Sequence, residues 1–277
     1  MSGKLILVGT PIGNLSDLTL RAKEALEICD FVAAEDTRVT SKLLNHLNIS
    51  KPLVSYYEHN KFQKGDYIID RILKGETCAL CSDAGMPIIS DPGDELVRLA
   101  YENNIEVTTA PGVTAMATAL VLSGISSKRF TFEGFLSTNK RNRKEHLESL
   151  VKEERTMIFY EAPHKLKNTL NDMYKYFGNR NISLCRELTK IHEEIDRTTL
   201  ERAIEKYETA IPKGEFVLVI EGCKEEVKDD ISLDDAINLA EDLVSKGESI
   251  MMASKIVAKE TGLKKSDIYN ALQKNKS

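Results

Sequence analysis

The sequence predicts an α/β protein: two α/β domains followed by a small helical C-terminal domain with helix-turn-helix spacing. Three observations carry this. Over residues 1–125, short apolar runs alternate with helical patterns five times, as in a mainly parallel sheet covered on both faces. After Ser123-Gly-Ile-Ser-Ser127 the strand patterns change, which suggests a second α/β domain over 126–224 with more antiparallel pairing. Beyond Gly222 an acidic linker leads to three short helical patterns, so a third domain is expected over 225–277.

Lys4-Leu-Ile-Leu-Val-Gly9 is a short apolar run and reads as a buried first strand. Thr10-Pro-Ile-Gly-Asn14 is a turn, and Ser16 to Cys29 has helical spacing. Phe31 to Ala34 supplies the second strand, and Glu35-Asp-Thr-Arg38 leads into a helix through Leu43, Leu44 and Leu47. Leu53 to Tyr57 is the third strand, followed by a helix to about Leu73. Thr77 to Leu80 is the fourth, then the helical run Glu95 to Tyr101, the strand Ile105 to Thr109, and a helix opened by Pro111-Gly-Val-Thr-Ala115. In the second domain, strands are expected at Arg129–Leu136, Thr156–Tyr160, Asn181–Arg186, His192–Arg197 and Glu215–Ile220, with helices at 142–152, 163–176 and 199–208. The tail patterns lie near 232–246, 250–261 and 265–274; Ala258 and Gly262 suit a tight crossing, with Val257, Leu263, Ile268 and Ala271 packing the pair.

Composition is that of a soluble globular chain, with no apolar stretch long enough to span a bilayer. Ser2-Gly-Lys4 runs directly into a strand, so a cytoplasmic protein is expected. The 5 cysteines do not suggest a disulfide framework. Cys78-Ala-Leu-Cys81 has CxxC spacing, but residues three apart in a strand face opposite sides and cannot grip one metal; the pair is core, and no metal site is expected. The net charge of −5 argues against a globally basic nucleic-acid binder, yet charge is segregated. Residues 128–144 carry 6 Lys/Arg against 1 Glu, and 225–242 carry 8 Asp/Glu against 1 Lys. The basic run Ser137 to Lys144 therefore suits phosphate contact better than the total charge implies.

The most informative stretch is Cys81-Ser-Asp-Ala-Gly-Met-Pro-Ile-Ile-Ser-Asp-Pro-Gly-Asp94, a stiff strand-to-helix turn. Gly85 permits close approach or positive φ, and Asp91 and Pro92 have the character of an N-cap and a first helical residue. Open α/β sheets bind ligands beyond such strand ends. With Leu-Val-Gly-Thr-Pro-Ile-Gly-Asn-Leu-x-Asp-Leu-Thr-Leu-Arg-Ala (7–22) and Ala-Pro-Gly-Val-Thr-Ala (110–115), this loop resembles the tetrapyrrole-methylase (class III) fold of S-adenosylmethionine-dependent methyltransferases. Within that class the chain is similar to the bacterial small-subunit rRNA methyltransferase I family. The carriers are Ala-Glu-Asp-Thr-Arg (34–38), Ser-Tyr-Tyr-Glu-His-Asn (55–60), Phe-Glu-Gly-Phe-Leu (132–136), Phe-Tyr-Glu-Ala-Pro-His-Lys (159–165) and Cys-Arg-Glu-Leu-Thr-Lys (185–190).

The resemblance implies methylation of a cytidine 2′-hydroxyl in 16S rRNA of the small ribosomal subunit, and a homodimer. It places S-adenosyl-L-methionine between the two α/β domains, against Pro11, Asp83, Ala84, Gly85, Thr114, Ala115 and Tyr160. The acceptor hydroxyl is a weak acid, and Asp36, His59, Glu161, Glu187 and Lys190 are candidates to assist its deprotonation. Arg38, Arg186 and the run Lys140, Arg141, Arg143 and Lys144 are candidates to hold phosphates. Each has a plainer reading: Asp36 as a helix cap, Glu161 with Arg186 as a structural ion pair, the basic run as a solvated face. Two other functions stay open. One is a tetrapyrrole methyltransferase of the same fold, against which Thr10-Pro-Ile-Gly-Asn14 stands in place of a Gly-Pro-Gly-Asp variant. The other is a DNA-binding regulator using the helix-turn-helix tail.

Overall fold

The structure is a computed structural model and describes residues 3–224 and 232–274. The acidic linker expected from residue 225 lies, as far as residue 231, outside the described residues. Residues Met1–Cys223 and Lys224–Ser277 form two separately compact units. Among the described residues no helix is long and apolar enough to cross a membrane.

In the first unit, β1 (Lys4–Val8), β2 (Phe31–Ala34), β3 (Leu53–Ser55), β4 (Cys78–Cys81) and β5 (Glu106–Ala110) form one sheet in the order β3-β2-β4-β1-β5. Every pairing in it is parallel. β2 and β4 are buried along their whole length, which is why they read as unbroken apolar runs. One face packs on α1 (Leu20–Ile28) and α2 (Thr37–His46) through Leu26, Leu43 and Leu44. The other packs on α3 (Lys61–Leu73) and α4 (Asp94–Glu102) through Ile68, Ile72 and Leu96. Cys81 belongs to the first cluster and Cys78 to the second, so the CxxC pair straddles the sheet as core.

Two helix starts differ from expectation. The helix expected from Ser16 begins at Leu20, because Asn14 captures the Ser16 N–H and holds a single 3-10 turn, Leu15–Asp17. Thr19 then caps α1, accepting from the Ala22 N–H at 3.1 Å. Asp91 and Pro92 do not start α4 either. Gly93, at φ 146°, holds the cap position and turns the chain into a helix that begins at Asp94.

A second sheet contains β6 (Phe130–Phe135), β7 (Thr156–Glu161), β8 (Asn181–Arg186), β9 (Glu194–Thr199) and β10 (Phe216–Ile220), in the order β6-β7-β10-β8-β9. Only β6 and β7 run parallel among its neighbours. β9 starts two residues later than expected, because 187–193 forms a loop. One face of this sheet packs on α6 (Lys140–Ser149), α7 (Leu166–Phe177) and α8 (Leu200–Thr209) through Leu147, Leu170 and Ala203. The other face is covered by α5 (Ala115–Ser123), whose Ala119 and Leu120 meet Ile158, Val217 and Val219. α5 thus leaves the first sheet and packs on the second.

The loops after β1, β4 and β5 are locked together. Thr10 and Gly85 exchange backbone hydrogen bonds of 2.9 and 3.1 Å. The Gly112 N–H donates to the Met86 sulfur at 3.2 Å. Gly9 lies so close to Gly112 that a Cβ on it would sit 2.6 Å from the Gly112 nitrogen.

In the second unit, α9 (Leu233–Ser245), α10 (Ile250–Thr261) and α11 (Lys265–Lys274) enclose a small core of Ala236, Ala240, Ala253, Val257, Ile268 and Leu272. Ser232 and Ser249 cap α9 and α10, and Gly262 ends α10 at φ 76°. Leu272, rather than the expected Ala271, is the buried residue on the last turn, one step around from Ile268 at helical spacing.

Gly9→Ala should force the two loops apart and lower stability by about 1–3 kcal/mol, the usual range for overpacking. Urea unfolding of the purified variant measures this; an unchanged midpoint would contradict the closeness of the approach.

Candidate active site

A cleft of about 460 Å³ opens where these locked loops face the second sheet. It lies beyond the carboxyl ends of β1 and β4, whose following helices, α1 and α4, pack on opposite faces of the sheet. Such a crevice is the standard ligand site of an open α/β sheet.

The loop 82–93 forms one wall. Gly85 sits at φ 87°, and a Cβ there would meet only ordinary contacts, so its requirement is conformational rather than steric. Ile88 and Ser90 also adopt left-handed φ, 78° and 67°, the first being costly for a β-branched side chain. Opposite Ser90 is Gly134, at the β6 bulge, where a Cβ would come within 3.5 Å of the Ser90 hydroxyl. Three carboxylates gather on this side. Glu35 accepts from the Asp83 N–H at 3.3 Å, and Asp83 accepts from the Asp36 N–H at 3.0 Å. Asp91 completes the group. Burial pushes all three above the ordinary carboxylate range; for Asp91, with Glu35 and Asp83 nearby adding to it, the value reaches about 6.

The second sheet and α5 form the other wall. The Tyr160 hydroxyl accepts from the Met116 N–H at 3.1 Å, in the first turn of α5, and its ring stacks edge-on with Phe132 and Phe135. Glu161 is only 3% exposed. One of its oxygens accepts from the Ala162 N–H at 2.8 Å, and the other accepts from the Thr169 hydroxyl. Below them, Lys190 bonds Glu187 and Glu215, each at 2.9 Å, and lies against Gly13. The Lys190 hydrogen bond holds the Glu187 carboxyl below its ordinary value.

Of the residues expected at a cofactor site, Asp83, Ala84, Gly85, Thr114, Ala115 and Tyr160 line the cleft. Pro11 is represented there by its neighbour Ile12. Of the five candidates for proton transfer, Glu161 alone lines it. Glu187 and Lys190 stand one residue removed, through Glu215. Asp36 caps α2 and binds Arg38, whose hydrogen bonds pull its carboxyl down to about 2. His59 packs edge-on against Tyr57 after β3, outside the cleft lining.

The basic candidates separate as well. Arg38 is 85% exposed beside the cleft loops. Arg186 pairs with Glu194 across the β8–β9 ladder, and Glu161 is held by Thr169 rather than by Arg186. Arg143, 16% exposed, turns inward to Asp172 and the Thr169 hydroxyl. Lys140, Arg141 and Lys144 stay exposed on α6, with Arg141 and Lys144 in loose pairs with Glu145 and Glu148. Sequence reasoning missed Glu35, Met86, Asp91 and Glu215 in the cleft. Asp91 lay inside the recognised loop, and its misreading as a cap hid it.

Residues 4–204 match the family model of the Tetrapyrrole (Corrin/Porphyrin) Methylases. The fold is shared with a crystal structure of diphthine synthase, at TM-score 0.61 and 13% identity over 79% of this chain and 90% of that one. It is shared also with uroporphyrin-III-C-methyltransferase from Thermus thermophilus, at TM-score 0.58 and 19% identity over 79% and 94%. The fold and cleft define an S-adenosylmethionine-dependent methyltransferase of the tetrapyrrole-methylase class. Proteins named ribosomal RNA small subunit methyltransferase I are 48% identical in Halalkalibacterium halodurans (97% of this chain, 94% of that one) and 47% identical in Synechocystis (96% of each). Within its class, the chain belongs to the ribosomal RNA small subunit methyltransferase I family.

Because the folded state raises the Asp91 pKa, it holds a proton between about pH 4 and 6 that the unfolded chain has released. Native stability therefore falls as pH rises through that window. Asp91→Asn should be more stable than wild type at pH 8 and indistinguishable from it at pH 4, read by urea unfolding at both values. A variant equally stabilised at both would show that the carboxylate is not desolvated.

Proposed function

We propose that the protein methylates the 2′-hydroxyl of a cytidine in 16S rRNA of the small ribosomal subunit, as a cytoplasmic homodimer. The observation that carries the rRNA substrate is near full-length similarity, at 48% and 47% identity, to proteins whose names state small-subunit rRNA methylation. The cleft fits the cofactor. Its volume suits a small molecule, its loop offers the exposed residues Asp83 and Ala84, and its carboxylates complement a cationic ligand. Bound there, S-adenosylmethionine supplies an electrophilic methyl group.

The chain's own residues position and exclude. Thr10 and Gly85 fix the loop that receives the cofactor, and Tyr160 fixes the start of α5 across from it. Glu161 is fully engaged by Thr169 and the Ala162 amide, which suits it to shaping the wall. Lys190, held between two carboxylates, is the cation best placed to stabilise a hydroxyl losing its proton. Lys140, Arg141, Lys144 and Arg38 supply exposed positive charge for the RNA backbone.

Incubation with labelled S-adenosylmethionine and small subunits should place label on one cytidine. The modified linkage should resist alkaline hydrolysis, because a methylated 2′-oxygen cannot attack its phosphate. Label on a base, or on a tetrapyrrole instead of RNA, would overturn the reading. Gly85→Val should abolish cofactor binding in calorimetry while the protein stays folded, since valine resists φ 87°. Replacing Lys140, Arg141 and Lys144 with Ala should weaken rRNA binding and reduce its log–log salt slope by about 0.7–0.9 for each phosphate no longer neutralised. Arg143→Ala should instead lower folding stability, because Asp172 and Thr169 would lose their shared hydrogen-bond donor.

A further inference from the structure

Among the described residues, those lining the cleft include five carboxylates, Glu35, Asp83, Asp91, Glu161 and Glu215, and no lysine, arginine or histidine. Four of these are already engaged. Glu161 is bound by Thr169 and the Ala162 amide, and Glu215 by Lys190. Glu35 accepts from the Asp83 amide, and Asp83 accepts from the Asp36 amide. Asp91 is different. The groups acting on it are the Ser82 hydroxyl at the end of β4, Asp83 on the same loop and Glu35 at the end of β2. Tyr160 of β7 lines the same cleft from the second sheet. None of these is a cation.

We propose that Asp91 makes the cleft discriminate by charge, holding the cationic methyl donor and releasing the demethylated product. This rests on the S-adenosylmethionine reading above. The donor carries a positive sulfonium; after transfer the sulfur is a neutral thioether, and the rest of the molecule is unchanged. A desolvated carboxylate with no counter-cation is a destabilised charge, and an entering cation relieves it. That relief is present while the donor is bound and disappears once the methyl has left. Product therefore leaves a site that is otherwise complementary to every other part of it. Ile88 and Ser90 hold the loop in left-handed conformations beside Asp91, and Gly134 of the opposite wall abuts Ser90.

The test compares three probes by calorimetry: S-adenosylmethionine, the neutral product S-adenosylhomocysteine, and sinefungin, which carries an ammonium where the donor has its sulfonium. Wild type should prefer both cationic probes. Asp91→Asn should reduce that preference by about tenfold while leaving the product's affinity unchanged, and Asp91→Glu should retain most of it. At pH 6, donor binding to wild type should release a proton, seen as an enthalpy that varies with buffer ionisation; product binding should release none, and Asp91→Asn should abolish the effect. If a folded Asp91→Asn protein keeps the wild-type preference, or loses donor and product affinity equally, charge discrimination by Asp91 is wrong while the cofactor assignment stands. If wild type binds none of the probes, the cofactor assignment itself fails and this proposal with it.

Discussion

The reciprocal pair of hydrogen bonds between Thr10 and Gly85 is the constraint on which the cleft depends. It ties the loop after β1 to the loop after β4, strands that are already neighbours in the sheet. The Gly9–Gly112 approach and the Met86 sulfur add the loop after β5. Three connections that would otherwise move independently become one surface. Rigid loops on a sheet edge place backbone groups more accurately than free ones and lose less entropy when a ligand binds. The strain this requires is supported by packing. Ile88 lies over Gly93, where a Cβ would come within 2.8 Å of it, so the left-handed residue and the glycine fit as a pair. Such strain costs on the order of 1–3 kcal/mol per residue and persists where surroundings determine it.

The second dependence is α5. Its sequence is apolar on nearly all sides, as befits a helix that begins at the end of β5 and is buried against the second sheet. Because the same helix carries Thr114 and Ala115 at its start and touches Ile158 and Val219 further along, the two cleft walls share one rigid element. The Tyr160 hydroxyl, bonded to the Met116 amide, adds a polar tie at that point.

Much of this was legible in the sequence. The unbroken apolar runs at β2 and β4 announced buried parallel strands, and the loop after β4 announced the site by its glycine and prolines. Helix ends were less legible, for local reasons. Asn14 captures a turn before α1 can start, and Gly93 displaces Asp91 from the cap of α4. The roles of charged residues were least legible, because they are decided by distant partners. Arg143 looks like part of a basic run until Asp172 and Thr169 of α7 draw it inward. Lys190 and Glu187 gain their meaning from Glu215, more than 20 residues away, just before the strand that pairs with β8. Periodicity reports which face a residue occupies; it carries no record of which ion meets which.

The order β3-β2-β4-β1-β5 also has a consequence for how the chain is made. Of the strands of this sheet β1 is synthesised before the others, yet its two partners are β4 and β5, near residues 78 and 106. At ordinary elongation rates of about 5–20 residues per second, β1 waits on the order of 4–14 s before β4 has even been polymerised. Throughout that interval Leu5, Ile6 and Val8, all buried in the finished fold, have no sheet to enter. β1 is therefore the strand of this sheet that waits longest for its partners, and it needs shelter, from the ribosome's exit region or from a chaperone, until the centre of the sheet can close.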